Sequence, residues 1–278
     1  MLEIRAPRDF DAPARLASRF ARRYQDPRRD DFAPDGVVID LRDCAVIDPP
    51  AALWCVVYAS LVRWKGIRCR VLAPNDPTLC AELAAQGFFS ALSSSGTELH
   101  GSIEPRGTAR DSIVFPISDI AGAVMSEAAG YEIQGRLQQT NGISANIPGL
   151  VAEIFFELIN NALEHSESPV GRFATVQVRG QSTVLCTVAD GGIGITESLG
   201  HNPAVPSLRQ DQDAVLLALE EGITGTDSPT RGIGLNWVSN ASHLIVHSGD
   251  GLVEDGRDIT PRGVTFPGTL VLSICGGG

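Results

Sequence analysis

The chain has 278 residues, 43% of them hydrophobic, enough to bury one large core or two modest ones, and its length favours two. Its 22 basic residues stand against 33 acidic ones, for a net charge of -11, which excludes a protein whose affinity comes from a basic surface laid on a phosphate backbone, so no direct nucleic-acid partner is expected. The longest apolar run, "AALWCVVYASLV", is too short to span a bilayer and is followed by Arg63 and Lys65; the opening "MLEIRAPRDF" has no signal-peptide core. A soluble cytoplasmic protein with no membrane partner is expected.

In chain order, "LEIRA" alternates as a short strand, and "DAPARLASRFARRY" has helical spacing behind an Asp cap. "DGVVIDLRDCAVI" is a β-branched run bounded by turn residues, and "PPAALWCVVYASLVRWKG" is a helix opened by prolines and closed by Gly66. The strand "IRCRVLAP" and the helix "PTLCAELAAQGFF" follow. Strands alternating with helices predict a small α/β unit over residues 1–95. The polar, glycine-rich stretch from Ser93 to Arg110 marks a linker, set at 96–110, and residues 111–278 form a second unit.

In that second unit "SIVFPISDI" is a strand candidate, and a helix-rich stretch runs to His165. "FATVQVRG" and "STVLCTVAD" alternate well across the turn "RGQS"; "HLIVHSGDG" and "GTLVLSIC" repeat the pattern near the end. A helix pair with a mostly antiparallel sheet predicts an α+β arrangement. Between Ile195 and Arg231 only "DQDAVLLALEEG" reads as a helix, and so long a loop in a compact domain tends to be functional or disordered.

The six cysteines and five histidines are scattered, with no CxxC pair and no metal-ligand spacing, so buried free thiols are expected and a histidine-built metal site is not. Lys65 is the one lysine, and no glycine-rich loop precedes it in the P-loop pattern; "DGGIGI" lacks the third spaced glycine of a dinucleotide fingerprint.

Glu157 and Asn161 lie four apart in "EIFFELINNALEHS", so both leave one helix face with Cβ atoms about 5–6 Å apart. A neutral amide oxygen suits Mg²⁺, and a carboxylate beside it suits a general base; solvent-facing amides are the alternative. "VADGGIGI" sets Asp190 at a strand end with Gly192 and Gly194 behind it, where the backbone can approach a flat ligand closely. "TRGIGLNWV" leads Gly232 and Gly234 into a helix, a junction that offers backbone N–H groups to phosphate.

In this order "ELINNALEH", "DGGIG" and "RGIGL" resemble the three boxes of the GHKL ATPase superfamily, which includes gyrase, the ninety-kilodalton heat-shock chaperones, histidine kinases and mismatch-repair ATPases; the resemblance spans about Ala145 to Ile274. It implies the Bergerat α+β sandwich, with ATP and Mg²⁺ as cofactors. Glu157 matches the acidic residue that acts as base, Asn161 the Mg²⁺ ligand, and Asp190 the carboxylate that accepts from the adenine amino group. Gly192 and Gly194 match the turn beside the adenine, Gly232 and Gly234 the glycines that close the lid, and Thr269 the strand threonine that supports the adenine site. Arg231 falls where other members use a lid lysine, residues 196–231 match the ATP lid, and His165 matches a position often His in the anti-sigma kinase branch. Asn160 has no role in that pattern.

Residues 37–74 are similar to the STAS fold of anti-sigma factor antagonists, in which a Ser or Thr after the turn Asp is phosphorylated. Here Asp48 is followed by Pro49 and Pro50, so the acceptor hydroxyl is missing and an interaction or sensing module is expected. Together the resemblances imply an ATP-dependent serine/threonine kinase of the anti-sigma, partner-switching type. The alternative is a slow ATPase or ATP-binding switch. Either would act with another regulatory protein, a STAS antagonist or a sigma-factor-like chain, and a homodimer is left open.

Overall fold

A computed structural model describes residues 1–10, 25–103, 112–223, 234–260 and 265–276. The helix expected at 11–24 lies outside the described residues, as do Arg231 and Gly232.

The first unit holds a four-stranded, all-parallel sheet in the order β1-β3-β5-β6. Its strands are β1 (Leu2–Arg5), β3 (Val37–Asp40), β5 (Cys69–Leu72) and β6 (Glu98–His100); β2 (Asp9–Phe10) pairs with β4 (Val46–Ile47) apart from it. Helix α1 (Pro49–Trp64) starts where the Asp48 carboxylate accepts the Ala51 N–H at 3.0 Å and prolines fill the first turn, where a missing N–H costs nothing. It stops at Gly66, whose φ of +74° suits a residue without a side chain. Two boundaries differ from the sequence expectation. The "PTLCAELAAQGFF" helix is broken at Gly87 (φ +77°) into α2 (Pro77–Ala85) and α3 (Phe88–Ser94). Strand β6 also occupies part of the expected linker, because Arg70, Val71 and Leu72 offer it a free parallel edge.

The second unit is a seven-stranded sheet, antiparallel throughout, in the order β12-β11-β10-β13-β9-β8-β7. The strands are β7 (Ser112–Asp119), β8 (Arg172–Arg179), β9 (Thr183–Asp190), β10 (His243–Gly249), β11 (Gly251–Glu254), β12 (Arg257–Asp258) and β13 (Phe266–Cys275). Helices α4 (Ala123–Gln138) and α5 (Ile147–His165) cover one face, where Val151, Phe155, Leu158 and Ile159 of α5 share a core with Val176, Val188 and Val271. The 195–231 segment holds more structure than its punctuation suggests: α6 (Gly194–Gly200) precedes α7 (Asp211–Ala218). Helix α8 (Gly234–Ala241) then leads into β10.

The other face of this sheet is closed by the first unit. Fourteen consecutive residues of α1, Pro49 to Val62, are buried, the mark of a helix enclosed on all sides. One apolar cluster joins its side chains to Ile117, Phe173, Ala189, Phe266 and Leu270 of the large sheet. Polar links cross the same boundary: the Ile117 N–H donates to the Gln86 carbonyl at 2.7 Å, and the Gln86 side-chain amide donates to Gln177 Oε1 at 3.1 Å. The protein is thus mixed α/β, a parallel sheet and an antiparallel sheet with α1 between them. All six cysteines are buried and free. Among the described residues no helix is long and apolar enough to cross a membrane, and no cluster of three or more His, Cys, Asp or Glu forms a metal site.

Candidate functional site

A cleft of about 440 Å³ opens between α5, the ends of β9 and β13, and the helices of the 194–241 segment. Six of the nine residues singled out from the sequence line it: Glu157, Asn161, Asp190, Gly194, Gly234 and Thr269. Gly192 lies directly behind Asp190. The sequence spreads these residues over more than a hundred positions, and the fold gathers them by laying α5 across the sheet with Glu157 and Asn161 toward the strand ends.

Asp190 is the floor of the cleft. It ends β9, is 3% exposed, and pairs across the ladder with Thr269. Burial pushes its carboxyl up to about 6, opposed by the backbone amides of Gly192 and Thr269 and by the charges of Arg172 and Arg28. The Gly192 N–H donates to its Oδ1 at 2.8 Å. Gly192 can be nothing larger, since a Cβ there would sit 1.8 Å from the Ser166 carbonyl oxygen, which is backbone and cannot swing aside. That carbonyl accepts the Ile193 N–H at 2.8 Å, so the end of α5 is tied to the turn after Asp190.

The wall carries the second group. Burial raises the Glu157 carboxyl above its ordinary range, and the like charge of Glu164 adds to the rise, the direction that strengthens a carboxylate as a base. One turn on, Asn161 Nδ2 is buried without a hydrogen-bond partner among the described residues. A buried orphan amide calls for an explanation, and a ligand in the cleft supplies one. Gly234 opens α8 against this pair: a Cβ on it would lie 2.8 Å from Glu157 Oε2 and 3.1 Å from Asn161 Nδ2. The start of α8 therefore faces the Glu157 carboxylate and the Asn161 amide.

Further residues complete the site that sequence reading did not single out. Ser248, on β10 beside Thr269, accepts the Ile195 N–H at 2.9 Å and donates to the Gly268 carbonyl at 3.1 Å, pinning the start of α6 to the strand ends. Gly268 has φ +118°, and a Cβ there would stand 2.1 Å from the Asp190 carbonyl oxygen. Thr196 donates to Asp211 Oδ1 at 2.5 Å, joining α6 to α7. From the first unit, Arg28 donates to the Gly192 carbonyl at 2.6 Å while Asp26 grips its guanidinium, at 2.9 Å through Nη2. Leu61 of α1 packs beneath Gly191, about 3.1 Å from where a Cβ would stand. None of these carries a local signal: their significance is a contact made over 15 to 164 positions of chain. Asn160, given no role by the sequence pattern, lies on the cleft wall with His165.

No protein-family model and no curated protein matches this sequence.

Proposed function

We propose that the chain binds ATP with Mg²⁺ in this cleft as a GHKL-type regulatory protein, and transfers the terminal phosphoryl group to a serine or threonine of a partner protein in the anti-sigma manner. The observation that carries the reading is the convergence of Glu157, Asn161, Asp190, Gly194, Gly234 and Thr269 on one cleft, as the three boxes require. The cleft has the size of an ordinary small-molecule site.

The residues fit the ligand. A buried carboxyl with a raised pKa has strong reason to accept from an amino group such as adenine's, because that bond returns some of what desolvation cost. The orphan amide of Asn161 fits a cation held largely by phosphate oxygens, the usual manner of Mg²⁺, and no all-protein cage is needed. Bound there, Mg²⁺ would neutralise charge on the phosphates. Glu157 takes the proton from the attacking hydroxyl, and the start of α8 offers N–H groups to the phosphate end. The first unit is then a STAS-like module without a phosphorylatable hydroxyl after Asp48. One observation favours the alternative of an ATP-dependent switch: Arg28 and Leu61 of the first unit touch the Gly191–Gly192 turn itself, so a change at the turn is felt across the boundary.

The test is incubation with γ-labelled ATP and native-cell extract. Label on a second protein supports the kinase, free phosphate alone supports the ATPase, and saturable binding with neither supports the switch. Glu157→Gln is expected to keep nucleotide affinity and lose about 10²-fold or more in turnover. An Asn161→Ala variant that bound Mg·ATP as the parent does would end the site assignment.

A further inference from the structure

A second cleft, of about 450 Å³, lies on the far side of α1, where the first unit meets the edge of the large sheet. Its floor is one face of α1, with Ser60, Arg63 and Trp64 spaced three and four apart so that they point together. Ile117 and Phe173 of the large sheet, with Val170 in the bend before β8, form an apolar wall, and α3 forms the third side. The proposed nucleotide site shares none of these residues.

Three features of the floor are unusual. Ser60 is 5% exposed, and its Oγ is buried without a hydrogen-bond partner among the described residues. The Arg63 Nε is in the same condition, although Nη1 of the same guanidinium donates to the Ile67 carbonyl at 3.2 Å. Trp64 beside them is 56% exposed, a large apolar surface at the rim, with the Lys65 ammonium 5.8 Å from its ring centroid. Two buried polar groups left open on one helix face, over an apolar wall and under an exposed indole, describe half of a binding site.

We propose that this inter-unit cleft binds a small monocarboxylate with a flat apolar body, its carboxylate on Arg63 Nε and Ser60 Oγ and its body between Trp64 and the Phe173 wall. The choice of a carboxylate follows from charge. One guanidinium edge and one hydroxyl satisfy two oxygens, the planar match that favours carboxylates. A phosphate or a polyanion would bring more charge than a single arginine offsets, in a cleft that also holds Asp119 and in a chain of net charge -11. A flat apolar body is favoured because Val170, Phe173 and the face of the Trp64 ring offer it contact area without hydrogen bonds, the serines of the α3 side standing apart from that wall. Since the cleft is walled by both units, its occupant would bear on their packing as well as fill a hole.

Benzoate is the probe, titrated into the full chain while the Trp64 indole N–H is followed by NMR, the signal assigned by its loss in Trp64→Phe. Saturable movement with a Kd of about 1 mM or tighter is expected, with neutral benzamide binding about tenfold or more weakly. Arg63→Gln is expected to weaken benzoate by about tenfold or more. Because that change also removes the bond to Ile67, calorimetry on Trp64→Ala, whose side chain is mostly outside the core, serves as a second arm; it too should weaken benzoate. No saturable response up to about 10 mM, or a response that Arg63→Gln and Trp64→Ala leave unchanged, means a water-filled cleft only and overturns the proposal.

Discussion

Replacing Asp190 by Asn leaves the shape of the floor but removes its charge, and the consequence for stability depends on pH in a direction fixed by the structure. The folded carboxyl has a pKa of about 6 against a usual 3.8, raised chiefly by burial. Below 3.8 both folded and unfolded chains hold the proton. Between 3.8 and about 6 only the folded chain holds it, so stability falls as pH rises through that window and is level above it. At about 1.4 kcal/mol per pH unit the wild type loses about 3 kcal/mol from this group on going from acid to neutral pH. Asp190→Asn keeps the oxygen that accepts from the Gly192 N–H and has nothing to ionise, so it loses none of that. Urea unfolding of both proteins near pH 4 and near pH 7.5 reads most of this: the stability of the variant relative to wild type should rise by about 2 kcal/mol between the two, other titrating groups cancelling in the difference. On the proposed function the wild type should gain stability from added Mg·ATP once ligand exceeds its Kd, and this variant should not. A relative stability that is flat with pH, or that moves in favour of wild type, would refute a buried, charge-burdened carboxyl at the floor of the cleft.

Arg28→Gln removes both the bond to the Gly192 carbonyl and a positive charge that opposes the rise at Asp190, so the Asp190 pKa should move further up and the window of falling stability extend to higher pH, checked by the same unfolding series. Gly234→Ala places a methyl against Glu157 Oε2 and Asn161 Nδ2; nucleotide turnover should fall about tenfold or more while thermal stability holds, since Ala favours the helix by about 1 kcal/mol over Gly. Expression of residues 112–278 without the first unit bares Ile117, Phe173, Phe266 and Leu270, at about 2 kcal/mol each roughly 8 kcal/mol of lost burial, comparable to the whole stability of a domain. That fragment should aggregate or bind a hydrophobic dye, and co-expression with residues 1–111 should restore a soluble complex.

What the sequence revealed was periodic or short-range. The alternation in "FATVQVRG" and "STVLCTVAD" is the pleat of β8 and β9, and the four-residue spacing of Glu157 and Asn161 is one turn of α5, so both were readable without knowledge of any neighbour. Asp190 was readable because a carboxylate at a strand end followed by glycines is a local pattern. Strand β6 was not, since "ELH" in a polar stretch has no alternation of its own and is strand only because β5 offers it an edge. The break at Gly87 was missed because the apolar spacing continues through it; what places the break is the close approach of Pro116 and Ile117, each with an atom 3.3 Å from where a Cβ would stand. Ser248, Gly268, Arg28 and the Ser166 carbonyl were hidden for the same reason: each acts through a partner distant in the chain.

A linker at 96–110 says nothing by itself of how the two halves meet. The packing supplies that: α1 is shared, its residues in one core with β8, β9 and β13, and its Leu61 lies under Gly191 on the reverse of the sheet from the cleft. Gly191 and Gly192 thus have the cleft floor on one side and the first unit on the other. Arg28 grips the same turn by its carbonyl while Asp190 accepts from its amide. Close-packed interiors transmit a displacement instead of absorbing it. Filling the cleft so that Asp190 gains a donor changes the hold on the Gly192 amide, and the same peptide chain carries that change to Arg28. Under the function proposed above, a first unit placed this way would need no phosphorylated serine of its own to respond to the cleft's occupant, which is consistent with Pro49 and Pro50 standing after Asp48.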